Sequence, residues 1–399
     1  MNSLKNQKSY GGLGTQSVWA GEDRLFLEGA TIPPISLNVA YGYEDVEDWY
    51  DVAVGKKNGH IYSRNTNPTT AILEEKMRLL DNAEASCSFS TGMAAISNTL
   101  YTFLTPGKRV ISQKDTYGGS SVLFMDFLPT RGIDVELCET SDFDAFEEAI
   151  HKGCDILYLE TPTNPTLKIV DIRRLAAAAH AVGAIVIVDN TFATPINQRP
   201  LALGADLVVY SATKFLGGHA DALGGILSGK KELVEQVFAY REINGAALHP
   251  MSAYLILRGL RTLEIRMLRH NDNAQRIASY LSTHPKIASV FYPGMPTHPN
   301  HQIALDQMTG FGGVLSFSPK GDYTTVKKVL ENLKLVRLAA HLGSVDTIAG
   351  PPRTTSHVEA SPEQRKQLGI PENLIRYSVG IENAVDLIGD LEQALDKIR

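Results

Sequence analysis

The chain has 399 residues, 43% of them hydrophobic and 21% charged, with a formal net charge of −6. That is the composition of a folded protein too long for one compact core, so two domains are expected. It leaves no basic face for nucleic acid or an anionic membrane, and no apolar run approaches the roughly 20 residues of a membrane-spanning helix.

In chain order, the opening MNSLKNQKSYGGLGTQ is polar and glycine-rich, without the apolar stretch of a signal peptide. Residues 1–62 lack a strong period, yet Tyr41, Trp49 and Tyr50 are expensive to leave in water. An extended arm packed on a neighbouring subunit is expected there. From about residue 70 helix and strand alternate. AILEEKMRLL is helical, ASCSFS strand-like, MAAISNTLYTFL helical up to Pro106-Gly107, KRVISQ a strand, VLFMDFLPTRG a helix, and IDVELCE a strand. DFDAFEEAIHKG is a helix closed by Gly153, ILYLE a buried strand, and Asp171 caps a helix that ends at Gly183. AIVIVDN and DLVVYS are continuous apolar runs, as central parallel strands covered on both faces should be. After residue 250 a long helical stretch is followed by short strands (IASVFYP, GGVLSFSP, LIRYSVG) and helices such as YTTVKKVLENL. The fold class expected is α/β: a mostly parallel doubly wound sheet over 63–255 and a smaller α+β domain over 256–399.

Ligands of such sheets sit beyond the carboxyl ends of the strands, and polar residues gather there. Ser90-Thr91-Gly92-Met93 opens a helix after ASCSF, offering backbone N–H groups to a phosphate. Glu160-Thr-Pro-Thr-Asn164, Asp189-Asn190 and Ser211-Ala-Thr213-Lys214 stand at the ends of ILYLE, AIVIVDN and DLVVYS. Pyridoxal 5′-phosphate needs all of these: a lysine to meet its aldehyde, a carboxylate at its ring nitrogen, and hydroxyls and amides on its phosphate. Lys214 supplies the first and Asp189 the second. Ser211, Thr213, Gly92 and Met93 supply the third. Asn164 is placed to bond the ring's phenolate oxygen, and Tyr117 in DTYGGS to stack on the ring. A lone strand-end lysine is more often a surface lysine, so the order of the whole set carries the argument. A nicotinamide-binding reading lacks its motif, since no G-x-G-x-x-G opens a βα unit. The cysteines Cys87, Cys138 and Cys154 have no metal-ligand spacing, which points to a reduced, cytoplasmic protein without zinc.

IYSRNTNPT (61–69), ETPTNP (160–165), VDNTFATP (188–195), SATKFLGGHAD (211–221) and LIRYSVGIEN (374–383) closely resemble the PLP-dependent trans-sulfuration enzymes of fold type I. That group holds the cystathionine γ-synthases, cystathionine lyases, methionine γ-lyases and O-acylhomoserine sulfhydrylases. The resemblance implies that Lys214 is the Schiff-base lysine and general base, Asp189 the ring-nitrogen partner, and Arg376 the clamp of the substrate carboxylate. It also implies that Tyr62 and Arg64 reach the cofactor phosphate of a neighbouring subunit, in a homotetramer built from two active dimers. The activity implied is γ-elimination or γ-replacement on a homoserine-type or sulfur amino acid. Apart from the resemblance, Tyr117 is a candidate acid for the leaving group, its phenol being expected near the cationic phosphate site.

Several positions bear on the subgroup and the substrate. Gly119 stands where methionine γ-lyases carry a cysteine, whereas Arg241-Glu242 resembles a charged pair of that same subgroup. In LGSVDTIAGPPRTTSH, Thr347 replaces a serine, Arg353 adds a cation suited to an acidic distal group, and Asp346 an anion suited to a cationic one such as canavanine. These point in opposite directions and leave the substrate open.

Overall fold

The computed structural model describes residues 11–22, 30–358 and 360–398; parts of the expected arm, 1–10 and 23–29, lie outside the described residues. The larger layer is a seven-stranded sheet in the order β1-β7-β6-β5-β4-β2-β3. Its strands are β1 (Ala85–Phe89), β2 (Arg109–Gln113), β3 (Asp134–Cys138), β4 (Ile156–Glu160), β5 (Ile185–Asp189), β6 (Leu207–Ser211) and β7 (Gly225–Gly229). β3, β2, β4, β5 and β6 run parallel, and β7 is antiparallel to both neighbours. The apolar runs of β4, β5 and β6 are buried because helices cover both faces, with separate cores on either side.

Local chemistry starts the covering helices, at Thr91 and Asp171 as the sequence reading expects and at Asn67 a few residues before the AILEEKMRLL segment read as helical. Asn67 caps Pro68–Leu80, Thr91 caps Gly92–Phe103 and Asp171 caps Ile172–Ala181, each accepting an early backbone N–H through its side chain. The helix expected over VLFMDFLPTRG is instead broken into an α turn, a π turn (Leu123–Phe127) and a 3-10 turn (Pro129–Arg131), closed by left-handed Gly132.

The smaller sheet has the order β10-β11-β12-β9-β8, from β8 (Ile287–Phe291), β9 (Val314–Pro319), β10 (Arg337–Leu338), β11 (Ile348–Gly350) and β12 (Ile375–Ser378). The long helical stretch after residue 250 is two helices, Pro250–Leu260 and Leu263–Thr283, separated at Arg261-Thr262. The boundary expected at 255/256 falls inside the first of them, whose Ile256, Leu257 and Leu260 pack in the larger domain's core. The second helix spans both cores: Leu263 and Met267 join the first, and Ala274, Ile277 and Leu281 the second.

The N-terminal segment is not extended throughout. Leu13–Trp19 is a short helix tied down by Lys76, whose Nζ donates to the carbonyls of Ser17 and Val18 at 3.0 Å. In contrast, no residue of the helix Val46–Ala53 is buried, and Val46, Trp49 and Tyr50 face outward. Among the described residues no helix is long and apolar enough to cross a membrane.

Candidate active site

Register brings the strand ends together. Glu160 on β4 pairs with Asp189 on β5, and Phe89 on β1 and Ser211 on β6 both pair with Gly225 on β7. The carboxyl ends of β1, β4, β5 and β6 therefore open on one edge. A cavity of about 210 Å³ lies there, lined by Gly92, Met93, Tyr117, Asn164, Asp189, Ser211, Thr213, Lys214 and Arg376 among others.

Beyond β6 the chain makes a tight turn, Lys214 N–H donating to the Ser211 carbonyl and Gly218 N–H to the Lys214 carbonyl. Ala212 and Phe215 bury themselves on either side and leave the lysine pointing into the cavity. Burial, and secondarily Arg376, push the Lys214 amine down to about 8. The Gly217-Gly218 step has a steric reason. Gly218 is left-handed, and a Cβ on it would collide with the Arg266 guanidinium; a Cβ on Gly259 would lie 2.0 Å from the Gly217 carbonyl. Arg266 in turn donates to the carbonyls of Phe215 (2.7 Å) and Gly259 (2.8 Å) and fixes the turn.

Asp189 accepts from Thr191 N–H at 2.9 Å and from the Tyr158 hydroxyl at 3.4 Å. Glu160 accepts from Tyr117 N–H at 2.7 Å. Burial raises both carboxyls above their usual range, and each of these neighbouring acids would gain from a cationic partner. Thr91, Gly92 and Met93 start their helix against Ser211, and a Cβ on Gly225 would lie 2.1 Å from the Thr91 carbonyl. The Thr213 hydroxyl bonds the backbone of Gly224, at 3.0 Å from its N–H and 3.3 Å from its carbonyl.

Arg376 comes from β12 of the smaller sheet and is nearly fully buried. It donates to Asn164 Oδ1 (3.4 Å) and to the His341 carbonyl (2.9 Å), and burial lowers it only to about 10, so it stays cationic at neutral pH. Phe192, Leu223, Ala340 and Leu342 are among the apolar residues that line the same cavity.

Five of the residues singled out from sequence are not brought to this cavity. Arg353 lies over the Tyr323 ring at 4.3 Å and 4.0 Å from Glu372. Asp346 pairs with Arg337 at 2.6 Å. Thr347 is buried and donates its hydroxyl to Glu382 at 2.8 Å. Tyr62 and Arg64 stack on each other at 5.2 Å, on the arm and away from the cavity of their own chain. Conversely, Glu160, Thr191 and Phe192 line the cavity without having been assigned a role, although each sits in a motif already quoted. His341 touches Lys214, and nothing in its local sequence marks it.

A buried lysine, a strand-end carboxylate and a glycine-floored helix start on one sheet edge fit pyridoxal 5′-phosphate. A Cβ on Gly92 would fill the cradle, 2.7 Å from Ser211 Cβ. The fold and the site thus define a fold type I PLP-dependent enzyme.

The family is then specific. The model for the Cys/Met metabolism PLP-dependent enzymes matches residues 14–396, and the chain belongs to that family. It is 43% identical over 394 residues to an L-methionine γ-lyase of Fusobacterium nucleatum subsp. polymorphum, covering 98% of this chain and 99% of that one. It is 42% identical over 345 residues to a cystathionine γ-lyase of Bacillus subtilis, covering 86% and 90%. The solved cystathionine γ-synthase of Xanthomonas oryzae pv. oryzae, in complex with cystathionine, superposes with a TM-score of 0.92 at 36% identity, covering 97% and 98%. The chain is therefore a PLP-dependent enzyme of γ-elimination or γ-replacement chemistry.

Proposed function

We propose that the chain acts at the γ-carbon of a homoserine-type or sulfur amino acid, and that γ-elimination of a neutral, weakly polar substituent such as a thioether is its favoured reaction. The observation that carries this choice is the apolar part of the cavity lining, to which Phe192, Leu223, Ala340 and Leu342 contribute. Arg353 contacts Tyr323 and Glu372 and is not among the cavity-lining residues, which favours a substrate without a succinyl carboxylate. Asp346 is engaged with Arg337 and is equally ill placed for a distal cation.

Bound pyridoxal 5′-phosphate supplies the electron sink that makes the substrate's α-proton removable. Arg376 binds the α-carboxylate and Asn164 orients that guanidinium. Lys214 takes the α-proton at Nζ, a role suited to an amine held near 8. Asp189 is the partner of the ring nitrogen, and Ser211, Thr213 and the amides of Gly92 and Met93 hold the phosphate. Tyr117 stacks over the ring and gives a proton to the departing γ-group. We assign the exposed arm, with Tyr62, Arg64, Trp49 and Tyr50, to a neighbouring subunit's site in a homotetramer, and the enzyme to the cytoplasm.

The test is a 2-oxobutyrate and ammonia assay with methionine, homocysteine, cystathionine, O-acetyl- and O-succinylhomoserine and canavanine, each with and without cysteine. Ammonia and 2-oxobutyrate from a thioether substrate without added thiol is the expected result. Cystathionine formed from a homoserine ester only when cysteine is present would make the enzyme a γ-synthase and overturn the preference for elimination.

A further inference from the structure

Lys214 meets a group that this chemistry does not use. Nδ1 of His341 lies 3.4 Å from Lys214 Nζ. Burial, then Lys214 and Arg376, push the imidazole down to about 4, so the ring is neutral at physiological pH and one of its nitrogens can accept a hydrogen bond from an amine. Its Nε2 is buried and, among the described residues, has no hydrogen-bond partner. The carbonyl of the same residue accepts from Arg376 Nη2 at 2.9 Å. Around this ring the other charged or titratable groups are Glu160, Asp189 and Tyr117 across the cavity and Asp346 on its own loop.

The loop bearing His341 is seated on the lysine turn. Gly343 N–H donates to Ser378 Oγ at 2.9 Å, and Val345 N–H to the Gly218 carbonyl at 3.0 Å. Gly343 is left-handed (φ +78°), and a Cβ there would come within 2.7 Å of Phe215 N. Glycine thus lets the loop approach the residue next to Lys214.

We propose that His341 is a positioning residue for Lys214: Nδ1 accepts a hydrogen bond from Nζ while the carbonyl holds Arg376, so one residue sets the spacing between the reacting amine and the carboxylate clamp. This rests on the roles given to Lys214 and Arg376 above. An acceptor beside Nζ favours the ammonium form, so removing it should let Lys214 lose its proton at lower pH. His341→Leu and His341→Phe remove the acceptor, the second keeping a ring of similar shape. His341→Asn returns an oxygen close to the Nδ1 position.

The experiment is a brief acetic anhydride pulse on the full-length protein freed of cofactor, from pH 6 to 10, with acetylation of Lys214 read by mass spectrometry against exposed Lys231. The midpoint for Lys214 in both acceptor-less variants should fall by about half a unit or more, with roughly threefold faster labelling at pH 7, and the Asn variant should return towards the wild type. Coincident midpoints in folded Leu, Phe and wild-type proteins would overturn the proposal. Borohydride reduction of the loaded enzyme separates this from failure of the functional reading. Cofactor trapped on Lys214 with coincident midpoints removes only the role of His341. Cofactor absent from Lys214 removes both.

Discussion

Gly92 and Ser211 are in contact so close that a single added carbon on Gly92 would sit 2.7 Å from Ser211 Cβ and 2.9 Å from its Oγ. The two residues come from different strand ends, and their approach is what makes a phosphate-sized cradle. Gly92→Ala must push the helix start or Ser211 aside, at a cost of about 1–3 kcal/mol. Weaker cofactor retention on dialysis and a lower Tm should follow. The double variant Gly92→Ala/Ser211→Gly should recover only part of the Tm, since Ser211 Cα still lies 2.9 Å from the added carbon, and no cofactor affinity, because the hydroxyl is gone. A single variant with unchanged absorbance after dialysis would count against the cradle.

The two arginines of the C-terminal domain should behave in opposite ways. Arg376→Lys loses a buried fork that no ammonium reproduces, and KM for the amino acid should rise about 10- to 100-fold. Arg353→Ala should leave KM within about twofold and lower stability by about 0.5–1 kcal/mol, the worth of an exposed cation–π contact with Tyr323. A steep rise in KM for Arg353→Ala, with O-succinylhomoserine especially, would return this residue to the site.

Tyr117→Phe keeps the ring over the cavity and removes the proton. If Tyr117 is the acid, kcat should fall by about 10²–10⁴ while cofactor absorbance stays unchanged. Unchanged turnover would leave Tyr117 a stacking residue only.

Acid sensitivity should be carried in part by His270, fully buried with Nδ1 2.7 Å from the Val379 carbonyl. Burial lowers it from 6.5 to about 4, so between these values the unfolded chain binds more protons than the folded one. Its contribution is complete above about pH 6.5 and is lost as pH falls towards 4. Buried Asp81, raised to about 6, works in the opposite sense over an overlapping window, so the informative quantity is a difference. Urea midpoints of His270→Asn should fall less steeply than the wild type's between pH 6.5 and 4.5; parallel slopes would refute this.

Much of the larger domain was legible because its strands are buried on both faces and read as unbroken apolar runs, with Thr91 and Asp171 marking helix starts. β7 was missed: GILSG is framed by glycines and looks like a continuation of the turn after Lys214. The break at Arg261-Thr262 was missed because the apolar period runs through it. In the site, Lys214, Asp189, Ser211 and Asn164 were readable as strand ends of one sheet. His341 was not, because its contact with Lys214 spans 127 residues and arises only when the smaller domain closes over the sheet edge. Arg353 and Asp346 misled because charge type says nothing about direction, and both side chains found partners on their own domain's surface.

The helix Leu263–Thr283 has a consequence for how the enzyme fails under heat. One half of this rod is cemented into the larger core and the other half into the smaller. Arg266 on it clasps the very carbonyls that shape the lysine turn. The smaller sheet therefore cannot peel off quietly while the coenzyme stays in place. The yellow of the bound coenzyme should fade at the same temperature as the helical signal, making colour a thermometer for the entire chain.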